Sequence, residues 1–548
     1  MVIDGQLRME GMKKGGCAMT TTIFTNGHIY TGDSQNRYVQ AIVVRDGLVH
    51  DLGSDADMRL QWGKGARVID LQGRTATPGL IDSHLHLGWQ GLTFLQLNLS
   101  QARSKEEMLL LIKQRADETA PGEWIEGFGW DENLFASGGI PTIEELDQVA
   151  PHCPIMVSRI CGHAHLVNSK ALEMIGYEPG MPVPAGGVVV CDTATGRPTG
   201  MLLETASNLV RPHIPKPDYE QLKRSLRHSI QYAIQHGLTG AHTEDLRELG
   251  GLAQTYRLYD DLINEEGLAL RCNLLVYYPH MHELRELKMH AGYGNDHVRI
   301  GAVKIFADGA LGRRTAYLSA PYADDPSTSG YPVHEQEELT ELVRQARNLD
   351  MPIAVHTIGD KALEMVLDSL DQFAPAVYPD RLIHTQIVRP DLLERLRHPH
   401  RIADIQPRFL AGDFPWVIDR VGPERIRYSY IWKTMLNKGI ICAGGSDTPV
   451  EPIDPLLGIH AAVTRKAPGD THEGYMPEEK LTMEEAIALF TIGGAQVTAE
   501  SHLKGTLTRG KFADMTVYSH ELFSMDPDAL LETKIEMTVI GGKVVYTR

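Results

Sequence analysis

The sequence has 548 residues, and its 71 acidic against 53 basic side chains leave a net charge of −18. A chain of this length exceeds one ordinary hydrophobic core, so it predicts more than one domain. The acidic balance argues against nucleic acid or a membrane as a partner, because nucleic acids and anionic lipid surfaces bind basic proteins.

Cysteine content and the N-terminus bear on the compartment. The six cysteines include no Cys-x-x-Cys pair, which argues against a disulfide framework or a thiolate zinc site and favours a reducing compartment. Residues 1–19 lack the apolar core of a signal peptide and are expected to be an N-terminal extension. No run approaches the roughly 20 apolar residues of a membrane span. We therefore expect a cytoplasmic protein, and a homo-oligomer is possible.

Short strands with turn signals occur near both ends of the chain. Thr22–Thr25 precedes an Asn-Gly turn, and Ala41–Val44 precedes an Asp-Gly turn. Gly510–Tyr518 and Val539–Val545 have the same character. We expect residues 20–76 and 501–548 to form one small β-sandwich domain built from both termini.

Between these ends, strand-like and helix-like segments alternate, which is typical of βα units on a parallel sheet. Residues 91–237 break this rhythm and are predicted to be an insertion after the first strand that could cap a pocket. The fold class is therefore predicted to be α/β, with a (β/α)₈ TIM barrel over residues 77–500. Its eight predicted strands are Gly79–His84, Leu238–His242, Leu268–Tyr278, Val298–Phe306, Pro352–Thr357, Arg381–Ile387, Ile402–Arg408 and Ile440–Gly444.

The first predicted barrel strand ends in His84-Leu85-His86. Two imidazoles that share one face of a strand end can hold one metal ion. With 24 histidines in the chain, about one His-x-His triplet is expected by chance. Further triplets begin at His163, His280 and His398, so the strand context decides among them.

Other polar side chains lie in or just after the remaining apolar strands. Because the carboxyl ends of barrel strands face the active site, these side chains are candidates for one common site. They are Lys304, His356, His384 and Asp447.

Three further segments each allow two interpretations. Trp130 could line an apolar substrate wall or belong to a core. Arg313 could clamp a substrate carboxylate, or the Arg313-Arg314 pair could be solvated or bound to the nearby aspartates. The run from His242 to Asp245 could support a metal ligand from the second strand.

Several runs resemble the amidohydrolase superfamily. Thr77–His86 resembles its first-strand signature, and Gly510–Asp514 resembles its sandwich signature. Within it the chain is most similar to the YtcJ-like branch, which includes N-substituted formamide deformylases. That similarity rests on Gly162–Leu172, Thr199–Glu204 and Asp308–Ala316.

The resemblance implies a distorted barrel and a metal-dependent hydrolase of carbon–nitrogen bonds. The expected substrate is an N-acyl or N-formyl amide. It implies Zn²⁺, one or two ions, and a carboxylated Lys304 that bridges them. The alternatives for Lys304 are an ion pair with Asp308 or a shell around a single metal. The implied metal ligands are His84, His86, Lys304, His356, His384 and Asp447.

The implied mechanism uses water whose pKa Zn²⁺ lowers toward about 7. Asp447 would act as general base, and His163 is a candidate donor to the oxyanion and to substrate. In one alternative, a deaminase or a cyclic-amide or ester hydrolase, a single metal is bound and His384 contacts substrate. The alternative of another class is a catalytically inactive barrel that acts as an assembly protein.

Overall fold

Apolar strands separated by tight turns begin the part of the chain that the computed structural model describes, which comprises residues 21–135, 139–159, 164–178, 180–184 and 186–548. The first elements are β1 (Thr22–Thr25), β2 (His28–Tyr30), β3 (Tyr38–Val39), β4 (Ala41–Arg45), β5 (Leu48–Gly53), α1 (Asp55–Trp62), β6 (Arg67–Asp70) and β7 (Thr75–Pro78). Next are β8 (Leu80–Leu85), α2 (Leu87–Leu95), β9 (Leu97–Asn98), α3 (Lys105–Glu118), β10 (Ile125–Trp130), α4 (Ile143–Val149), β11 (Ile155–Arg159), β12 (Ala164–Val167), α5 (Ser169–Met174), β13 (Val188–Cys191), β14 (Pro198–Leu203) and α6 (Tyr219–Gln235).

The second half alternates strands and helices. Its elements are β15 (Leu238–Thr243), α7 (Leu246–Leu249), α8 (Leu252–Asp260), β16 (Arg271–Tyr277), α9 (Met281–Glu286), β17 (Val298–Phe306), α10 (Gln336–Arg347), β18 (Ile353–Thr357), α11 (Asp360–Leu370), β19 (Asp380–His384), α12 (Pro390–Leu396) and β20 (Arg401–Ile405). The remaining elements are α13 (Phe409–Asp413), α14 (Trp416–Arg425), α15 (Trp432–Asn437), β21 (Ile441–Gly444), α16 (Pro455–Thr464), α17 (Met483–Ala488), α18 (Gly494–Val497), β22 (Met515–Tyr518), β23 (Ile535–Ile540) and β24 (Lys543–Thr547).

Eight parallel strands form the central sheet, in the order β21-β20-β19-β18-β17-β16-β15-β8. The two outer strands meet through their ends: the Asp82 carboxylate on β8 accepts the Ser446 N–H after β21 at 3.0 Å. A Cβ on Gly445 would lie 2.7 Å from the His84 backbone nitrogen, so this approach requires glycine. The predicted barrel is therefore confirmed as a nearly closed (β/α)₈ cylinder.

Two further sheets build the predicted β-sandwich from both ends of the chain. One has the order β5-β4-β1-β6, and the other has the order β24-β23-β22-β7-β2-β3. Their apolar faces share one buried cluster, in which Phe24 and Ile42 meet Met515 and Val539. This arrangement confirms the sandwich. The predicted strand Gly510–Tyr518 is shorter in the structure, because Gly510 has φ 86° and turns the chain ahead of β22.

Contacts divide the chain into two compact units. The first holds the residues up to Leu85, 232–246 and 263–548, and so contains the barrel and the sandwich. The second holds 86–231 and 247–262, with a sheet ordered β13-β14-β12-β11-β10-β9 that mixes parallel and antiparallel pairs. None of the helices in the described residues is long and apolar enough to cross a membrane.

Candidate metal centre

Polar side chains occupy the carboxyl ends of five barrel strands. His84, Lys304 and His384 lie in β8, β17 and β19, and their residues are 1–3% exposed. His356 lies in β18, and Asp447 follows β21. All five were predicted at these positions from the apolar runs that precede them. Since the residues before each of them are buried, the strands hold these groups at one end of the cylinder.

The first group of potential ligands is centred on His84. One nitrogen each from His84 and His86 and one oxygen of Asp447 all lie within 4.8 Å of one another. The His84 Nε2 is 3.3 Å from Asp447 Oδ1 and 3.1 Å from Lys304 Nζ. Two imidazoles, a carboxylate and a buried amine at these separations can hold a divalent metal ion.

Backbone hydrogen bonds fix this group. The Asp82 carboxylate accepts the His84 N–H at 3.0 Å, and the Asp447 N–H donates to the His84 carbonyl at 2.8 Å. Asp447 has φ 59°, a left-handed conformation that is uncommon outside glycine and that clusters at functional sites. The backbone at the end of β8 therefore orients the carboxylate of Asp447.

The second group consists of His356 and His384, whose ring centroids are 4.5 Å apart. His356 Nε2 donates to the Gly309 carbonyl at 3.0 Å, and His384 Nδ1 donates to Gln406 Oε1 at 2.7 Å. Each bond places the ring proton on the bonded nitrogen, so Nδ1 of His356 and Nε2 of His384 are the nitrogens that can act as neutral ligands. The His384 ring also lies 5.9 Å from the His84 ring, so the two groups are adjacent.

Burial gives Lys304 unusual chemistry. Loss of solvent lowers the pKa of its amine to about 8, although Asp447 and Glu244 oppose this shift. A neutral amine can react with CO₂ or ligate a metal, whereas an ammonium cannot. Asp308 is occupied elsewhere, since its carboxylate accepts the N–H groups of Ile358 and Gly359 at 3.0 and 2.8 Å. The alternative Lys304–Asp308 ion pair is thus not observed among the described residues.

The other predicted site residues are His163, Trp130 and Arg313. His163 lies outside the described residues. Trp130 is 1% exposed and packs in the core of the insertion, because a register shift between Phe128 and Trp130 turns its side chain to that face. Arg313 is exposed, while its neighbour Arg314 pairs with Asp324 at 2.8 Å. Substrate contacts of Trp130 and Arg313 remain predictions.

The structure adds residues that the sequence did not single out. Gln406 holds His384, and its own amide donates to the Asp404 carbonyl at 3.1 Å. Arg381 pairs with Asp404 at 2.6 Å inside the cylinder and also donates to the Ser83 carbonyl next to His84. A polar residue at the end of a predicted strand was the available signal for Gln406.

His242 is fully buried, and burial and the nearby Arg381 hold its pKa far below the usual value.

Comparisons with known proteins identify the family. The amidohydrolase family model matches residues 67–546. The chain is 40% identical to amidohydrolase YtcJ of Bacillus subtilis (strain 168), over 96% of this chain and 99% of that protein. It is 25% identical to the N-substituted formamide deformylase of Arthrobacter pascens, over 97% and 99% of the two chains. A metal-dependent hydrolase from Pyrococcus furiosus has a similar solved structure, with a TM-score of 0.75 at 30% identity, covering 92% of this chain and 99% of that chain.

Proposed function

Because this chain belongs to the amidohydrolase family, and is thus a metal-dependent hydrolase of carbon–nitrogen bonds other than peptide bonds, we propose that it hydrolyses N-acyl or N-formyl amides of small molecules. The similarity to the N-substituted formamide deformylase of Arthrobacter pascens supports the N-formyl group as the first choice of acyl group. The observation that carries the proposal is that six candidate ligands from five strand ends lie close together.

The donor set fits zinc. His84, His86, His356 and His384 offer neutral imidazole nitrogens, and Asp447 offers a carboxylate, which are ligand types that Zn²⁺ accepts. Bound zinc supplies Lewis-acid chemistry and lowers the pKa of water toward about 7. In this proposal Lys304 is a ligand after it is carboxylated: its neutral amine attacks CO₂, an N–C bond forms, one N–H proton leaves, and the product is an anionic carbamate.

Asp447 is the proposed general base. Its carboxylate takes a proton from the attacking water and delivers it to the nitrogen of the leaving amine. The backbone bond from Asp447 to the His84 carbonyl, 2.8 Å long, keeps the carboxylate oriented during both transfers. A carboxylate that is anionic at neutral pH suits this role, because it must be unprotonated when water attacks.

His384 and His356 are proposed to remain neutral throughout. Each donates one ring N–H to an uncharged acceptor, namely Gln406 and the Gly309 carbonyl, and burial lowers the pKa of His356 well below its usual value. Neutral rings keep a lone pair directed at the centre, as ligation requires. His163 is the proposed donor to the oxyanion of the tetrahedral intermediate.

A substrate screen tests the proposal. Purified protein loaded with Zn²⁺ is assayed against N-formyl, N-acetyl and aminoacyl amides, with amine release as the readout. We expect turnover of a formyl or acetyl amide that disappears with a chelator and returns with Zn²⁺. We also expect Asp447→Asn to lower kcat by roughly 10²–10⁴-fold, whereas Asp419→Asn, an exposed control, leaves it unchanged. Turnover that survives the chelator, or that Asp447→Asn leaves intact, would contradict the mechanism.

A further inference from the structure

In the sheet of the insertion, α3 and α4 pack on one face of β10 and β11, and Met156 on the other face joins a second buried cluster with residues of α5. Ile125 and Val157 point into the core that α3 and α4 complete. Strand alternation puts Glu126 and Phe128 of β10 on the opposite face. In the parallel pairing of these strands Glu126 is opposite Met156, and Phe128 is opposite Ser158. Four side chains of different chemistry therefore form one patch.

This patch is the floor of a cavity. The space inside it, part of which is open solvent, is about 410 Å³, and Gln96 and Arg211 complete its lining. Arg211 begins a short 3₁₀ turn, Arg211–His213, which follows β14 in the same unit.

The charged groups of the cavity are close but unpaired. Glu126 is half-buried, and loss of solvent raises the pKa of its carboxyl, while the nearby Arg211 charge acts in the opposite direction. Neither side chain has a hydrogen bond or an ion pair with another described residue. A partly desolvated carboxylate that accepts no hydrogen bond gains free energy from a cationic ligand that donates one.

Phe128 is the exposed apolar side chain of the cavity. Phe128 is 44% exposed although it lies in the middle of a strand. Met156, beside Glu126, is buried and forms part of the floor. An aromatic face next to a carboxylate favours an ammonium group that carries a hydrocarbon side chain.

We propose that this cavity binds a zwitterionic amino acid with an apolar side chain. The ammonium group pairs with the Glu126 carboxylate, the carboxylate group pairs with the Arg211 guanidinium, and the side chain packs on Phe128 and Met156. A ligand with both charges fits better than a simple amine or acid, because each fragment leaves one protein charge unmatched. This inference uses residues of the insertion alone and does not depend on the substrate of the metal centre.

Calorimetric titration of the whole zinc-loaded chain tests the proposal. The probes are L-leucine and its two fragments, 3-methylbutylamine and 4-methylpentanoate. We expect L-leucine to bind at least tenfold more tightly than either fragment. Glu126→Gln and Arg211→Gln should each weaken L-leucine binding at least tenfold, because each removes a charge-assisted hydrogen bond. Glu118→Gln and Arg197→Gln change exposed side chains of the same unit and should have no effect.

A second readout locates the ligand independently of activity. In protein labelled with ¹³C-methyl methionine, the Met156 resonance, assigned by its loss in Met156→Leu, should shift on addition of L-leucine. Absence of any L-leucine binding, or equal affinity for L-leucine and for 3-methylbutylamine, would overturn the proposal. So would binding that persists in Glu126→Gln and Arg211→Gln but disappears with a chelator, since that result places the amino acid at the metal centre.

Discussion

The hydrogen bond between Gln406 and His384 offers the sharpest test of how the centre is held. Its length is 2.7 Å, and both residues are 3% exposed. Gln406→Met keeps the approximate volume but removes the acceptor of the His384 Nδ1–H. That buried donor then loses this acceptor, and the ring can rotate or exchange its tautomer, which withdraws Nε2 from the centre.

The expected magnitude follows from the burial of this bond. An unsatisfied buried donor costs about 1–3 kcal/mol, and 1.4 kcal/mol corresponds to tenfold in an equilibrium constant. We therefore expect Gln406→Met to weaken zinc binding by about 10–100-fold, the range found when partners of metal-bound histidines are removed. Gln406→Glu retains an oxygen acceptor and should restore most of the affinity.

Competition with a chromophoric chelator measures these affinities, and kcat/KM is measured at saturating zinc. The matched control is Gln336→Met, because Gln336 also makes partly buried side-chain hydrogen bonds, including one to Ser369 Oγ at 2.9 Å. If Gln406→Met and Gln336→Met bind zinc equally well, or if Gln406→Glu is as weak as Gln406→Met, the bond does not position His384.

Three further predictions concern buried charges. The carboxylation of Lys304 predicts one ¹³C carbamate signal per chain after incubation with labelled bicarbonate, and Lys304→Gln should abolish it. Arg381→Met should lower the free energy of unfolding by about 3–5 kcal/mol, because it leaves the Asp404 carboxylate buried without its partner. Burial raises the pKa of Asp413 from 3.8 to about 6, so the folded state keeps a proton that the unfolded state releases and stability falls as pH rises from 4 to 6. Asp413→Asn removes this loss, and its stability relative to the parent chain should rise by about 3 kcal/mol between pH 4 and pH 7.

Exposed side chains supply the controls for these experiments. The carbamate of Lys304 is measured by NMR, with Lys438→Gln as the control. The Arg381 variant is measured by urea unfolding, with Arg397→Met as the control. The Asp413 variant is measured by urea unfolding at several pH values, with Asp419→Asn as the control. A carbamate signal that persists in Lys304→Gln places the CO₂ elsewhere. A loss below about 1 kcal/mol in Arg381→Met, as for a surface pair, contradicts the buried-pair argument. A stability difference that is constant across pH for Asp413→Asn contradicts the raised pKa.

The barrel and its polar strand ends follow from the sequence because both depend on local pattern. A buried strand is an apolar run. A polar residue that ends such a run, as His84 and Lys304 do, needs a polar partner or a bound ligand at that end. The start of α17 is likewise local, because Thr482 and Glu485, three residues apart, form a capping box. Each of these features is set within about ten residues.

Features set by a single backbone angle or by a distant partner did not follow. The sixth barrel strand was expected to reach Ile387 but ends at His384, where φ is 73° at His384 and 45° at Thr385. The shifted register near Gly129, whose φ is 102°, moves Trp130 from the cavity face to the core face. No periodicity encodes these angles. The bond between His384 and Gln406 joins separate strands and likewise has no local signal.

The sandwich has a consequence for how this protein is made. The Thr77 hydroxyl lies 2.9 Å from the Tyr518 hydroxyl, and the two residues are 441 positions apart. At about 5–20 residues per second, the ribosome needs roughly 20–90 s to supply the second partner after the first has emerged. During that interval β7 has an open edge, and such edges recruit other chains. A stop codon placed before β22 should therefore send the nascent product into aggregates, whatever the state of the barrel.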